Sequence, residues 1–305
     1  VTILVCLRFD QGHLTETLLP GKAAPSVQEQ NFHHFTVEDR EKILQEIQDL
    51  LAADPRISGA LLVGSGARGF ADRCSDIDLT VAVTREGDVK PVLDQFAAAF
   101  RDTRDVLSSF SGQPEPEVHL FGAFLACLIE VDISFLHCDR MVARTMDWRI
   151  LFDRSGRLKE QMTASWANHQ EPDRAEKLTW HLGEIWYFVI HAANSLARGQ
   201  LWQASYHIAE VRHRAFQLSG LRCALPMGYL KSADECPPGF LKEMETTLFD
   251  RLEKTALFDA LEAATRSFFD QAESLAREIE AKAPIRLRKA LLSHINQMRR
   301  FNVGD

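Results

Sequence analysis

Apolar residues follow two different rhythms along the chain, one for each half. Ile43, Leu44, Ile47, Leu50 and Leu51 recur at helical spacing behind Thr36 and Asp39, which are placed as a capping box, and Asp54-Pro55 follows. This predicts an amphipathic helix over 37–53. The next apolar runs are short and β-branched, so 59–63 (GALLV), 77–83 (IDLTVAV), 117–122 and 126–136 read as strands. Pro91 opens a further helix that ends near Thr103. From about Glu171 the rhythm changes: Leu178, Leu182, Ile185, Trp186, Val189, Ile190 and Ala193 recur every three or four positions and stop before Gly199. Further helices are expected at 201–219, 239–254, 256–282 and 285–301, interrupted by Cys236-Pro237-Pro238-Gly239 and by Pro284. The expected fold class is therefore α+β: a mixed sheet with flanking helices, then an all-helical bundle. An irregular arm occupies 1–35, the α/β domain 36–158 and the bundle 159–305.

Composition narrows the partners. A length of 305 residues suffices for two domains, and 46% apolar with 26% charged residues is ordinary for a globular protein. The formal charge of −8 makes nucleic acid an unlikely partner and suits small or cationic substrates. Six scattered cysteines, without a C-x-x-C pair, read as reduced thiols in a cytoplasmic protein. No apolar run reaches the about 18 residues of a membrane span, and VTILVCL lacks the basic flank of a signal peptide. His181 and His191, like His207 and His213, lack metal-ligand spacing. Trp180, Trp186, Tyr187 and Trp202 are expected in the bundle core, with an aromatic wall for a sugar or base as the alternative. The basic stretch Arg286, Arg288, Lys289, Arg299 and Arg300 reads as a solvated helix face.

Residues 61–83 carry two motifs at once. Gly64, Gly66 and Gly69 spell G-x-G-x-x-G, the mark of a dinucleotide loop, but that loop needs a crossover helix before the next parallel strand. Only seven residues, FADRCSD, separate Gly69 from the strand at Ile77, and they cannot hold one. The second motif fits without strain. Asp76 and Asp78 are two apart and project to one face of a strand, where paired carboxylates repel unless a cation joins them. Mg²⁺ meets that need, since it prefers oxygen ligands and leaves room for phosphates and water. Upstream, Gly64 permits close backbone approach, and a short helical turn with the Ser65 hydroxyl would hold an anion.

The segment G-S-G-A-R-G-F-A-D-R-C-S-D-I-D-L, residues 64–79, resembles the signature of the polymerase-β-type nucleotidyltransferase superfamily. Within it, the segment is most similar to the bacterial branch of aminoglycoside and lincosamide nucleotidyltransferases. The resemblance implies transfer of a nucleoside monophosphate, AMP from ATP or another nucleoside triphosphate, to a hydroxyl of a small-molecule acceptor. Two Mg²⁺ ions would serve as cofactor and pyrophosphate would leave. It assigns Asp76 and Asp78 to the metal and places Gly64, Ser65, Arg68 and Ser75 at the nucleotide. For Arg68, simple solvation of the loop is an equal alternative. The family's third carboxylate falls in LIEVDISFL, where Asp132 fits as metal ligand with Glu130 as general base, or only one of the two matters. Glu184 or Glu210 of the helical half are the other candidate bases. The segments 148–158, 198–204 and 209–218 extend the likeness weakly. Oligomeric state stays open, a homodimer included. The competing readings are nucleotidylation of a protein or an RNA end, and a regulatory protein that binds nucleotide without turnover.

Overall fold

The computed structural model describes residues 34–70, 74–143, 145–169 and 173–301. The expected arm, apart from His34 and Phe35, lies outside them. Helix α1 is Val37–Ala53, and its capping box forms as the sequence predicts. Thr36 Oγ1 accepts the Asp39 N–H at 3.1 Å while the Asp39 carboxylate accepts the Thr36 N–H at 2.8 Å. The strands are β1 (Ile57–Val63), β2 (Ile77–Val83), β3 (Val106–Glu115), β4 (Val118–Leu125), β5 (Glu130–His137) and β6 (Trp148–Asp153). Helix α2 (Val89–Thr103) stands between β2 and β3, and α3 (Leu158–Ala167) follows β6.

The sheet runs β3-β4-β5-β2-β1-β6. Only the β2–β5 pair is parallel, and β1–β2 is antiparallel, which also removes the dinucleotide reading of the glycine motif. Alternation along the strands sorts the residues by face. Ile77, Leu79, Val81 and Val83 of β2, with Val131, Ile133 and Phe135 of β5, pack with Ile43, Ile47 and Leu51 of α1 and Val92, Phe96 and Phe100 of α2. The even-numbered residues of β2 and β5 take the other face. There Ala82 and Leu136 are covered by Leu158 and Met162 of α3 with Met141 and Ala143. The other end of that face, toward Asp78 and Asp132, carries the charged residues.

Three elements lack a sequence forecast: strands β3 and β6 and helix α3. The expected strand 126–136 begins only at Glu130, after a turn in which Leu128 takes φ +61°. Helix α3 belongs with the sheet, so the first compact unit runs to residue 169, past the expected boundary at 158.

The second unit is helical: α4 (Arg174–Ala197), α5 (Leu201–Cys223), α6 (Pro238–Glu245), α7 (Lys254–Glu278) and α8 (Ile285–Arg300). Ile185, Val189, Ala192 and Leu196 of α4 and Ile208, Val211 and Ala215 of α5 meet Leu261, Ala264, Phe268 and Leu275 of α7 at helical spacing. The core expectation for the four large aromatics is corrected. Trp202 is 78% exposed and Trp180 60%, and Trp186 and Tyr187 are exposed too, because small and aliphatic residues fill the buried stripe. The helix expected over 239–254 ends at Glu245. The basic C-terminal stretch is only partly solvated. Arg288 bonds Asp270 and Glu273 at 2.6 and 3.1 Å, and Arg299 bonds Asp259 and Glu262 at 2.5 and 3.1 Å, tying α8 to α7. No helix among the described residues is long and apolar enough to cross a membrane.

Gly59 allows β1, β6 and α3 to meet: a Cβ there would lie 2.3 Å from Leu158 Cδ1 and 2.8 Å from the Phe152 carbonyl. Gly59→Ala is expected to cost roughly 1–3 kcal/mol through overpacking. Thermal denaturation checks this, and an unchanged midpoint would show that the junction has room.

Candidate active site

The site is built where β1 runs out. Gly64 takes φ +66° and opens a five-residue 3-10 turn, Gly64–Arg68, closed by Gly69 at φ +98°. The Gly69 N–H returns to the Gly66 carbonyl at 3.0 Å. A Cβ at Gly64 would stand 2.7 Å from Asp78 Oδ2. Glycine is therefore needed twice over, for the left-handed backbone and for the carboxylate that the loop touches. Gly66 lies under the Phe70 ring, which would come within 2.7 Å of a Cβ there.

Asp78 of β2 and Asp132 of β5 are paired in register across the parallel ladder. By alternation Asp76 and Glu130, each two residues earlier, point to the same face. Asp78 is only 4% exposed, Asp132 is half-buried and Glu130 is exposed. Burial pushes the Asp132 carboxyl up to about 7, helped by the charges of Glu130 and Asp76 and by a hydrogen bond with Glu130. Carboxylates this close cannot all stay ionised without a compensating cation. The donor set, hard oxygens crowded beside a glycine turn, fits Mg²⁺. Asp76, Asp78 and Asp132 are the residues that could hold it, and Glu130 stands beside them.

The remaining expected residues fall in different places. Ser65 lies in the turn, half-buried. Arg68 is largely exposed, 3.5 Å from the Asp147 carboxylate. Ser75 is buried, and its carbonyl accepts Arg40 Nη1 at 3.0 Å. Glu184 and Glu210 belong to the helical unit, where both carboxylates bind Arg214, at 3.0 and 2.6 Å. That guanidinium also stacks 3.8 Å from the Phe188 ring centre, so the trio clamps α4 to α5.

Arg40 is the residue that sequence reasoning missed. It is fully buried on α1, with its guanidinium 4.0 Å from the Phe70 ring centre while it holds the Ser75 carbonyl. It thus links the end of the glycine turn to the residue before Asp76. A signal existed: Arg40 shares the helical face of Ile43, Leu44 and Ile47.

No family model and no curated protein matches the chain. Among solved structures, an aminoglycoside 6-adenyltransferase from Bacillus subtilis aligns over 87% of this chain and 98% of that one, with 13% identity and a TM-score of 0.43.

The raised Asp132 carboxyl has a stability signature. Between about pH 4 and 7 the folded protein keeps a proton that the unfolded chain has released, so stability falls as pH rises through that window. Asp132→Asn removes the dependence. In chelator at pH 8 the variant is expected to be more stable by roughly 1 kcal/mol, allowing for solvent screening, or about 2–4 °C in midpoint. The difference should vanish near pH 4, and thermal melts at both pH values check it; a pH-independent difference would remove the carboxyl as cause. Arg40→Lys keeps the charge but loses the planar stack on Phe70. It is expected to weaken Mn²⁺ binding at the carboxylates, read by electron paramagnetic resonance; Mn²⁺ binding equal to wild type would show that Arg40 does not brace the site.

Proposed function

We propose that this protein is a metal-dependent nucleotidyltransferase that moves a nucleoside monophosphate, AMP from ATP, onto a hydroxyl of a small molecule and releases pyrophosphate. The observation that carries the reading is the convergence of Asp76, Asp78, Glu130 and Asp132 from two adjacent parallel strands beside the Gly64 turn. The resemblance of residues 64–79 to the nucleotidyltransferase signature supports the same chemistry. An aminoglycoside-type antibiotic is one acceptor class that this reading admits.

Each part of the constellation has a role. The Gly64 turn and Ser65 receive the β- and γ-phosphates through backbone N–H groups and a hydroxyl. Arg68 adds positive charge at the rim. Asp76, Asp78 and Asp132 would hold Mg²⁺, which when bound supplies charge neutralisation on the triphosphate oxygens. Glu130, exposed and next to Asp132, takes the proton from the acceptor hydroxyl. Ser75 and Arg40 brace the segment that presents Asp76.

The test is pyrophosphate release from each of the four nucleoside triphosphates with Mg²⁺, with and without a panel of aminoglycosides and lincosamides. Release dependent on one acceptor is the expected result. Asp76→Ala and Asp78→Ala should each lower it about 10³-fold, since a metal ligand contributes several kcal/mol to the transition state. Turnover unchanged in both variants would overturn the enzymatic reading. Metal-dependent ATP binding without any turnover would point to a nucleotide-binding regulator instead.

A further inference from the structure

The carboxylate row continues across the sheet. Asp78 pairs with Asp132, Asp132 with Gly122 on β4, and Gly122 with Phe110 on β3. On the next rung Glu130 pairs with Phe124, which in turn pairs with Ser108 of β3. Register partners share a face, so Phe110 and Phe124 stand on the carboxylate side of the sheet. They are 41% and 42% exposed. Gly122 lets the Phe110 ring lean across the strand: a Cβ there would meet ring atoms at 2.2 and 2.6 Å and Asp132 Oδ1 at 3.0 Å. Ring and carboxylate therefore meet over one glycine.

Sheet order gives this aromatic pair a direction. The Gly64 turn ends β1, on one flank of the Asp78–Asp132 centre, and Gly122, Phe110 and Phe124 lie on the other. In a phosphoryl-type displacement the entering and leaving oxygens are roughly in line, on opposite sides of phosphorus. If pyrophosphate leaves toward β1, as the reading above requires, the acceptor enters over β4 and β3. We propose that Phe110 and Phe124 form the acceptor's seat, with Gly122 making room for the Phe110 ring beside Asp132 and the two phenyl rings as a surface for the apolar ring face of an alcohol. The hydroxyl oxygen then forms the new bond to the α-phosphorus. The bond from that phosphorus to the bridging oxygen breaks, its electron pair leaves with pyrophosphate, and the hydroxyl proton passes to the Glu130 carboxylate. Phe110 and Phe124 choose the acceptor and take no part in the bond changes. The plainer role for Phe110 is to cover a glycine near a sheet edge, and in that case it would not affect which alcohol reacts.

The test needs no knowledge of the natural acceptor. The full chain is incubated with ATP and Mg²⁺, and methanol or cyclohexanol is added at matched concentration to compete with water. AMP, its methyl and cyclohexyl esters and pyrophosphate are quantified. Wild type is expected to favour cyclohexanol over methanol about tenfold per mole, the effect of burying a few ring methylenes. Phe110→Ala and Phe124→Ala together should bring that ratio close to one, while the KM for ATP stays at its wild-type value. An unchanged ratio overturns the proposal. So does a raised KM for ATP with the ratio intact, which would give the rings to the nucleobase. Wild type that is folded but releases no pyrophosphate in any arm would instead defeat the nucleotidyltransferase reading, and this inference with it.

Discussion

Mutual repulsion among four carboxylates is the constraint around which the first unit is arranged. Asp78 arrives on β2 with Asp76 just before that strand, Glu130 and Asp132 on its parallel neighbour, and the face opposite them is packed with aliphatic and aromatic side chains from α1 and α2. Those apolar contacts hold the strands in register against the charge they carry. Burial, reinforced by the charges of Glu130 and Asp76, raises the Asp132 carboxyl to about 7. Under the proposed reading, a bound cation would offset that crowding, and binding would add to stability.

The glycines define how near the other groups may come. Gly64 lets the turn touch Asp78, and Gly122 lets Asp132 and Phe110 share one opening. Gly122 lies on the rung of the charged pair and Gly64 in the turn that follows β1, so the turn side and the aromatic side of the centre each depend on a missing side chain. Arg40 adds a brace from beneath. A planar cation fully buried against Phe70 is costly unless its hydrogen bonds are met, and the Ser75 carbonyl meets one of them.

The parts legible in the sequence were those with a local cause. Thr36 and Asp39 announce the start of α1 by a hydrogen-bond pattern three residues long, and the spacing of Asp76 and Asp78 follows from the pleat of a single strand. The β3–β4 hairpin was harder, because SSFSGQPE mixes polar, glycine and proline residues and becomes a strand only by pairing with VHLFGAFL. β6 likewise owes its place to β1. Trp180 and Trp202 misled because aromatic size suggests a core, whereas the buried stripes of α4 and α5 are filled mainly by alanine, leucine, isoleucine and valine and the core aromatics are phenylalanines such as Phe268. The row from Asp78 to Phe110 joins four strands and has no linear trace at all.

The parallel pairing of β2 and β5 also sets an order of assembly. A parallel neighbour cannot be reached by a tight turn, so the chain passes through α2 and the β3–β4 hairpin before Asp132 can lie beside Asp78. The charged centre is therefore a non-local contact, and closing it costs loop entropy. During synthesis, a chain that has emerged only through β2 carries Asp76 and Asp78 before Glu130 and Asp132 have been made. The crowding of carboxylates thus arises only when β5 joins the sheet, and the same strand brings Val131, Ile133 and Phe135 into the apolar layer that opposes it.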